Sequence, residues 1–296
     1  MGKRLFPTFV KYVSQSVMGM VGISCYILAD TWFVAAAFGA EGLAALNLAI
    51  VVYSLMNAAG LMAGIGGATL FSLSFAAGRE RRTEIFSSTA ALGLFFAVIF
   101  TGAGLFFSGG IARLLGADEV IFAMTRSYLR TILSFSLFFI MNNIFLAFVR
   151  NDGSPRLAMA AMVTGSLSNI ALDYLFIFPF GWGLFGAALA TAIAPMISLA
   201  LLSLHFVLRR SSFHPSLRRL RAGAVAKMIP LGLSSMVTEL SSAAALAAFN
   251  LMILAMAGNT GVAAYGIVAN LALVELAVFV GIAQGMQPLP SRNRGA

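Results

Sequence analysis

Asn169 and Asp173 stand four residues apart inside the apolar run Ser168-Asn-Ile-Ala-Leu-Asp-Tyr-Leu-Phe-Ile. On a helix this spacing puts both side chains on one face, about one turn apart. A second carboxylate, Asp30, interrupts the first apolar run within Ala29-Asp-Thr-Trp-Phe-Val. An ionised acid at the centre of a membrane helix costs roughly 2.5 to 3.5 kcal/mol, so such residues face a cavity, a partner or an ion path rather than lipid. The expectation is that these acids form one intramembrane site which the rest of the chain holds in place. The alternative for each is a buried polar group that only bonds a neighbouring helix.

The composition demands a membrane. Hydrophobic residues make up 60% of the 296 residues, charged residues 10%, and the mean hydropathy is +0.95. Soluble chains carry about 25% charged residues, and so few charges cannot cover a soluble surface of this size. The 29 glycines and 15 methionines suit closely packed membrane helices. The single Cys25 excludes an intrachain disulfide and a cysteine metal cluster. The net charge of +9 does not point to nucleic acid, because the basic residues sit at the ends of apolar runs rather than in a stripe.

The elements that must position the acids are all-α. Eight spans are predicted, at residues 9–38, 43–77, 85–107, 120–149, 157–178, 184–208, 224–257 and 262–289, each long enough to cross a hydrocarbon core. Clusters of Gly, Pro, Asn and charge separate them, at 39–42, 78–83, 108–116, 151–155, 179–183, 209–223 and 258–261. The basic start at 1–11 leads into a run too long for a cleaved signal peptide and is expected to stay attached. With the N-terminus inside, 16 of the 19 Lys and Arg fall on that side, and only Arg113, Arg126 and Arg130 fall on the other. This asymmetry predicts cytoplasmic termini.

Gly39-Ala-Glu-Gly-Leu-Ala-Ala-Leu matches Gly258-Asn-Thr-Gly-Val-Ala-Ala-Tyr, each between two long apolar runs. The pair reads as an internal repeat about an axis along the membrane normal, an arrangement found in secondary transporters. If six spans form one repeat, the second copy holds two. The expected organisation is a six-helix lobe at 1–208, a basic linker at 209–223 and the first two helices of a second lobe at 224–296.

Four segments in order resemble the multidrug and toxic compound extrusion (MATE) family of cation-coupled exporters: Ala29-Asp-Thr-Trp-Phe-Val with the Gly39 segment; Phe148-Val-Arg-Asn-Asp-Gly-Ser-Pro-Arg-Leu-Ala-Met; Ser168-Asn-Ile-Ala-Leu-Asp-Tyr-Leu-Phe-Ile-Phe; and Gly281-Ile-Ala-Gln-Gly-Met-Gln-Pro-Leu. The resemblance implies twelve helices in two lobes, of which this chain resembles the first eight, as a truncated gene or fragment would. It implies that Asp30 binds the coupling proton or sodium ion, that Asn169 and Asp173 complete that site, and that the hydroxyl of Thr191 joins it. Some branches use an acid in the seventh helix, matched here by Glu239. Carboxylates, an amide and a hydroxyl are hard oxygen ligands suited to sodium, whereas a proton needs one buried carboxylate.

The resemblance leads to the expectation of a non-enzymatic antiporter in a bacterial-type cytoplasmic membrane. It would export small amphipathic, often cationic compounds, with no cofactor beyond the coupling H+ or Na+ and no nucleic-acid partner. The sequence leaves its oligomeric state undetermined. An intramembrane enzyme is disfavoured, since one Cys and two peripheral His offer no nucleophile with a base. Two alternatives stay open: a flippase of lipid-linked sugars from the same superfamily, and an inactive membrane fragment. A flippase cavity would be expected to carry more cations, and the predicted midspans hold no Lys or Arg. Asn142 and Asn143 read as interhelical contacts, Glu275 is given no role, and His205, His214 and the 209–221 cluster are expected to be interfacial or solvated.

Overall fold

Backbone amides in lipid must be satisfied within the segment, which leaves long apolar runs the helix as their solution. A computed structural model describes residues 5–74, 77–208, 211–216 and 219–287; the side chains of residues 5–6, 246–247, 250–251, 254–255, 257–271 and 273 lie outside the description. Among the described residues there is no strand. The elements are α1 (Leu5–Leu73), α2 (Gly78–Leu114), α3 (Phe122–Ser134), α4 (Ser136–Asn151), α5 (Pro155–Ile177), α6 (Gly183–Val207) and α7 (Ala222–Met286).

The eight predicted spans map onto these elements. α1 has 69 residues, about 100 Å if straight, three times a hydrocarbon core. It breaks at Gly39, at φ 59° and ψ −145°, where the sequence places a turn. A residue with a β-carbon adopts that conformation only under strain, although the space around Gly39 is open, so the glycine is needed for its backbone. α3 and α4 form one bent span, turning by 49° at Phe135. Side chains enter the backbone ladder there: Ser136 donates to the Ala97 carbonyl at 2.9 Å, and Thr101 donates to the Leu133 carbonyl at 3.3 Å. α5 starts with Pro155, whose missing N–H costs nothing at a first turn. α7 has 65 residues and contains both remaining spans up to Met286. The residues of the expected turn at 258–261 fall within α7 rather than in a loop, and the side chains of the second repeat copy lie outside the description.

Small residues set the helix packing. A β-carbon on Gly66 of α1 would strike the Met228 carbonyl of α7, and one on Gly232 of α7 would strike the Met62 carbonyl of α1. Gly281 and Gly285 lie in the same way against Val17 and Val13, on the other half of α1. Both halves of α7 thus meet α1 backbone to backbone, as small residues permit. α2 turns Leu94, Phe95, Val98, Ile99, Phe106 and Phe107 outward, an apolar face suited to lipid.

The basic end of the bundle departs from expectation. The sequence puts His205 and the linker at an interface or in solvent, yet His205 is fully buried and Phe213 is 1% exposed. Phe213 enters an aromatic cluster, with its ring 4.5 Å from Phe86 and 5.3 Å from Phe71 between centroids. Asp152 holds the segment in place. It accepts from the Ser212 backbone N–H at 2.8 Å and from the Ser212 hydroxyl, and faces His205 Nε2 at 2.8 Å. The linker is strapped down because Phe213 buries an aromatic ring that water would otherwise surround.

Candidate cation site and cavity

The i, i+4 spacing in α5 does what helix geometry requires, since Asn169 and Asp173 are both fully buried on one face. α1 brings Asp30, 8% exposed, within electrostatic reach of Asp173. α6 contributes Thr191, 7% exposed. Pro195, one turn further on, has no N–H for the Thr191 carbonyl, which loosens the helix at the site.

Asn169 links these groups. In the amide orientation that satisfies both neighbours, its Nδ2 donates to Asp173 Oδ2 at 3.0 Å and its Oδ1 accepts from the Thr191 backbone N–H at 3.2 Å. Tyr128 of α3 stands within electrostatic reach of both carboxylates and close to Thr191. One oxygen of each acid, Asp30 Oδ1 and Asp173 Oδ1, is buried without a hydrogen-bond partner. Neither acid has a Lys, Arg or His partner within salt-bridge distance among the described residues.

Two buried acids without a basic partner are a costly arrangement unless a proton or a cation joins them. The donor set fits a hard monovalent cation: two free carboxylate oxygens and a hydroxyl, with the Asn169 amide oxygen added once it turns from the Thr191 N–H. No group of three His, Cys, Asp or Glu side chains gathers among the described residues, so the set lacks the makings of a transition-metal centre.

The predicted site residues therefore divide. Asp30, Asn169, Asp173 and Thr191 come together, while Glu239 of α7 does not join them. Glu239 instead accepts from Asn57 Nδ2 at 2.9 Å, and Asn57 accepts from Asn143 at 2.9 Å. Asn143 is the interhelical contact expected of it. Tyr53 and Tyr26 of α1 stand close together, and Tyr53 is within electrostatic reach of both Asp30 and Glu239.

Beside the acids lies a cavity of about 290 Å³, lined among others by Tyr53, Asn57, Arg150, Thr191, Glu239 and Gln284. Thr191 thus belongs to both the acid cluster and the cavity wall. Sequence reasoning missed two residues. Tyr128 carries a signal of its own, since a buried tyrosine hydroxyl needs a partner. Arg150, counted on the cytoplasmic side just past the predicted 120–149 span, is instead 3% exposed and lines the cavity; it sits in the last turn of α4, next to the predicted turn at 151–155.

Comparison with known proteins places these features. The MatE family profile matches residues 16–175. The multidrug export protein MepA of Staphylococcus saprophyticus is 27% identical over 292 residues, covering 98% of this chain and 64% of the relative. MepA of Staphylococcus aureus is 26% identical over 293 residues, 97% of this chain and 65% of the relative. Among solved structures, the MATE multidrug transporter DinF-BH superposes with a TM-score of 0.88 at 28% identity, over 98% of this chain and 66% of that one. An outward-facing MATE transporter of the MOP superfamily gives 0.86 at 26% identity, over 97% and 65%. The chain thus spans a little under two thirds of the length of the curated relatives it matches.

Proposed function

Because this chain belongs to the MatE family, we propose that it takes part in multidrug export, exchanging small amphipathic, often cationic compounds for protons or sodium ions across a cytoplasmic membrane. Its N-terminus then lies in the cytoplasm. The observation that carries this reading is the pair Asp30 and Asp173, each buried with one oxygen unpartnered and without a basic neighbour among the described residues. A proton or sodium ion bound between α1 and α5 relieves that cost in one state of the transporter more than in the other, and the difference drives the exchange. Asn169, Thr191 and Tyr128 orient the acids, and the adjoining cavity with Glu239 receives the exported compound. The names of the relatives support the substrate class. A flippase for lipid-linked pyrophosphates is less well supported, since Arg150 is the one Lys or Arg among the described residues lining the cavity.

The test is efflux of a fluorescent cationic dye from everted vesicles under imposed proton and sodium gradients, comparing wild type with Asp30→Asn and Asp173→Asn. Gradient-driven efflux lost in both variants is the expected result, and the gradient that supports it identifies the ion. Efflux that survives both substitutions would make the acids structural. A wild-type chain that transports nothing, while the same chain extended to the length of its relatives does, would make it an inactive piece of such an exporter.

A further inference from the structure

Arg150 is a charged residue lining the cavity that the exchange mechanism leaves unused. Its Nη1 donates to Gln284 Oε1 at 2.8 Å, a neutral acceptor on α7. Its Nε is buried without a hydrogen-bond partner, and no carboxylate lies within salt-bridge distance among the described residues. Asp152, two residues on, is engaged elsewhere, with His205 and Ser212 on its oxygens.

A guanidinium removed from water and left without a counter-charge is among the more expensive groups to bury. Its planar fork of donors matches an oxyanion, which takes two parallel hydrogen bonds. Two further side chains lining the same cavity share the deficit: Ser198 Oγ and Asn142 Oδ1 are both buried without partners. Among the described residues that line it, the cavity thus holds one cationic residue, one anionic residue in Glu239, and a hydroxyl, that of Ser198, with no hydrogen-bond partner.

We propose that Arg150 and Ser198 form an oxyanion subsite in the cavity, taking a carboxylate or phosphate carried by an amphiphile whose cationic part faces Glu239. The preferred compounds are then zwitterionic rather than simply cationic. This inference rests on reading the cavity as the compound's binding site. The oxyanion has two possible sources, the transported compound itself or the headgroup of an anionic lipid.

The test uses the whole chain in uncharged detergent and reads fluorescence anisotropy with two dyes. Rhodamine 123 carries a methylated carboxyl, and rhodamine 110 is the same dye with the carboxylate free. Native mass spectrometry reads retained phosphatidylglycerol in parallel. Wild type is expected to bind the free acid about tenfold more tightly than the ester, in keeping with a charge-assisted hydrogen-bond pair. Arg150→Gln should bring that ratio close to one. Arg150→Lys, which keeps the charge but loses the fork, should leave it near threefold and carries the test if the glutamine variant does not fold.

Equal dye affinities with phosphatidylglycerol held by wild type and lost from the variants would support the subsite and assign its oxyanion to lipid. Equal affinities with no lipid retained would overturn it, as would a tenfold ratio that both substitutions leave intact. Binding of the ester in these cases leaves the export reading standing. If wild type binds neither dye, the cavity of this chain is not the compound's binding site, the export reading passes to the extended chain, and the oxyanion subsite is decided by lipid retention alone.

Discussion

Asn169 donates to Asp173 across one helical turn at 3.0 Å, while its amide oxygen is held by the backbone of Thr191 at 3.2 Å. The amide can serve a carboxylate as donor or a cation as ligand, and not both at once toward the same point. Asn169→Ala removes a donor to a buried carboxylate and should destabilise the chain by about 1 to 3 kcal/mol, read as a lower midpoint in detergent-phase thermal unfolding. Dye efflux should fall with it. An efflux rate equal to wild type would show that Asp173 needs no such partner.

Tyr128 brings one hydroxyl to the site, close to Thr191 and within electrostatic reach of two acids. Tyr128→Phe keeps the ring in its packing and deletes that hydroxyl. The expected outcome is impaired ion-driven efflux, with a melting midpoint close to wild type. A large fall in melting midpoint with normal efflux would instead assign the hydroxyl to packing.

Glycine serves two separate purposes in α1. Gly39 has room around it but a backbone that only glycine adopts readily, so Gly39→Ala should cost about 1 to 3 kcal/mol of strain. Gly66 has an ordinary backbone but no room, and Gly66→Val should cost about 1 to 3 kcal/mol by overpacking against Met228. Disulfide trapping between cysteines placed on α1 and α7 separates them. Gly66→Val should lower the cross-linking yield, and Gly39→Ala should leave it near that of wild type.

The Asp152–His205 contact is almost entirely out of water, with side chains 2% and 0% exposed. Removing His205 takes one partner from a buried carboxylate that keeps its two bonds from Ser212, at a cost of about 1 to 3 kcal/mol. His205→Ala is therefore expected to free the 211–216 segment and speed tryptic cleavage at Arg219 and Arg221. Unchanged cleavage would mean that Phe213 and the anchors on Asp152, Ser87 and Ser88 hold the strap without His205.

At the surface of the same end, Arg219 bonds Glu80 at 2.9 Å and holds its carboxyl below the ordinary range. A lowered acid stabilises the fold at pH above its ordinary value, and this contribution disappears as the pH falls through the lowered one. The pair is exposed, so it is weak, and about 1 M salt should screen most of it. In an NMR titration, Arg219→Gln should return the Glu80 carboxyl to its ordinary range. No change on substitution would mean that the crossing contact does not form in solution.

Much of this can be read along the chain because it depends on spacing. The shared face of Asn169 and Asp173, the break at Gly39 and the boundaries of α5 and α6 follow from helical period, glycine and proline. The companions of the site do not. Tyr128 sits in a helix whose arginines and threonines give it no distinction, and it matters only because α3 packs on α6 beside Thr191. Glu239 groups with the other acids by type, yet it lies across the cavity on the Asn57–Asn143 ladder. Arg150, His205 and Phe213 have neighbours in sequence that are basic or near a turn, which points them toward solvent. Their burial comes from segments more than fifty residues away that close over them, as Phe213 does on Phe86 and Phe71.

The strapped linker alters how α7 reaches α1. Residues 209–223, as a free chain, would be a leash with a span of roughly 20 Å. Ser212 is fixed on Asp152, the Ser216 N–H on Ser87 at 2.9 Å and the Arg221 N–H on Ser88 at 3.1 Å. α7 begins at Ala222, immediately after the last of these anchors. The slack of the leash is therefore gone, and α7 starts from a pivot on α2 that points it at its own α1. Two copies in one membrane would have to release three anchors before exchanging their α7 helices, so the strap guards against domain swapping.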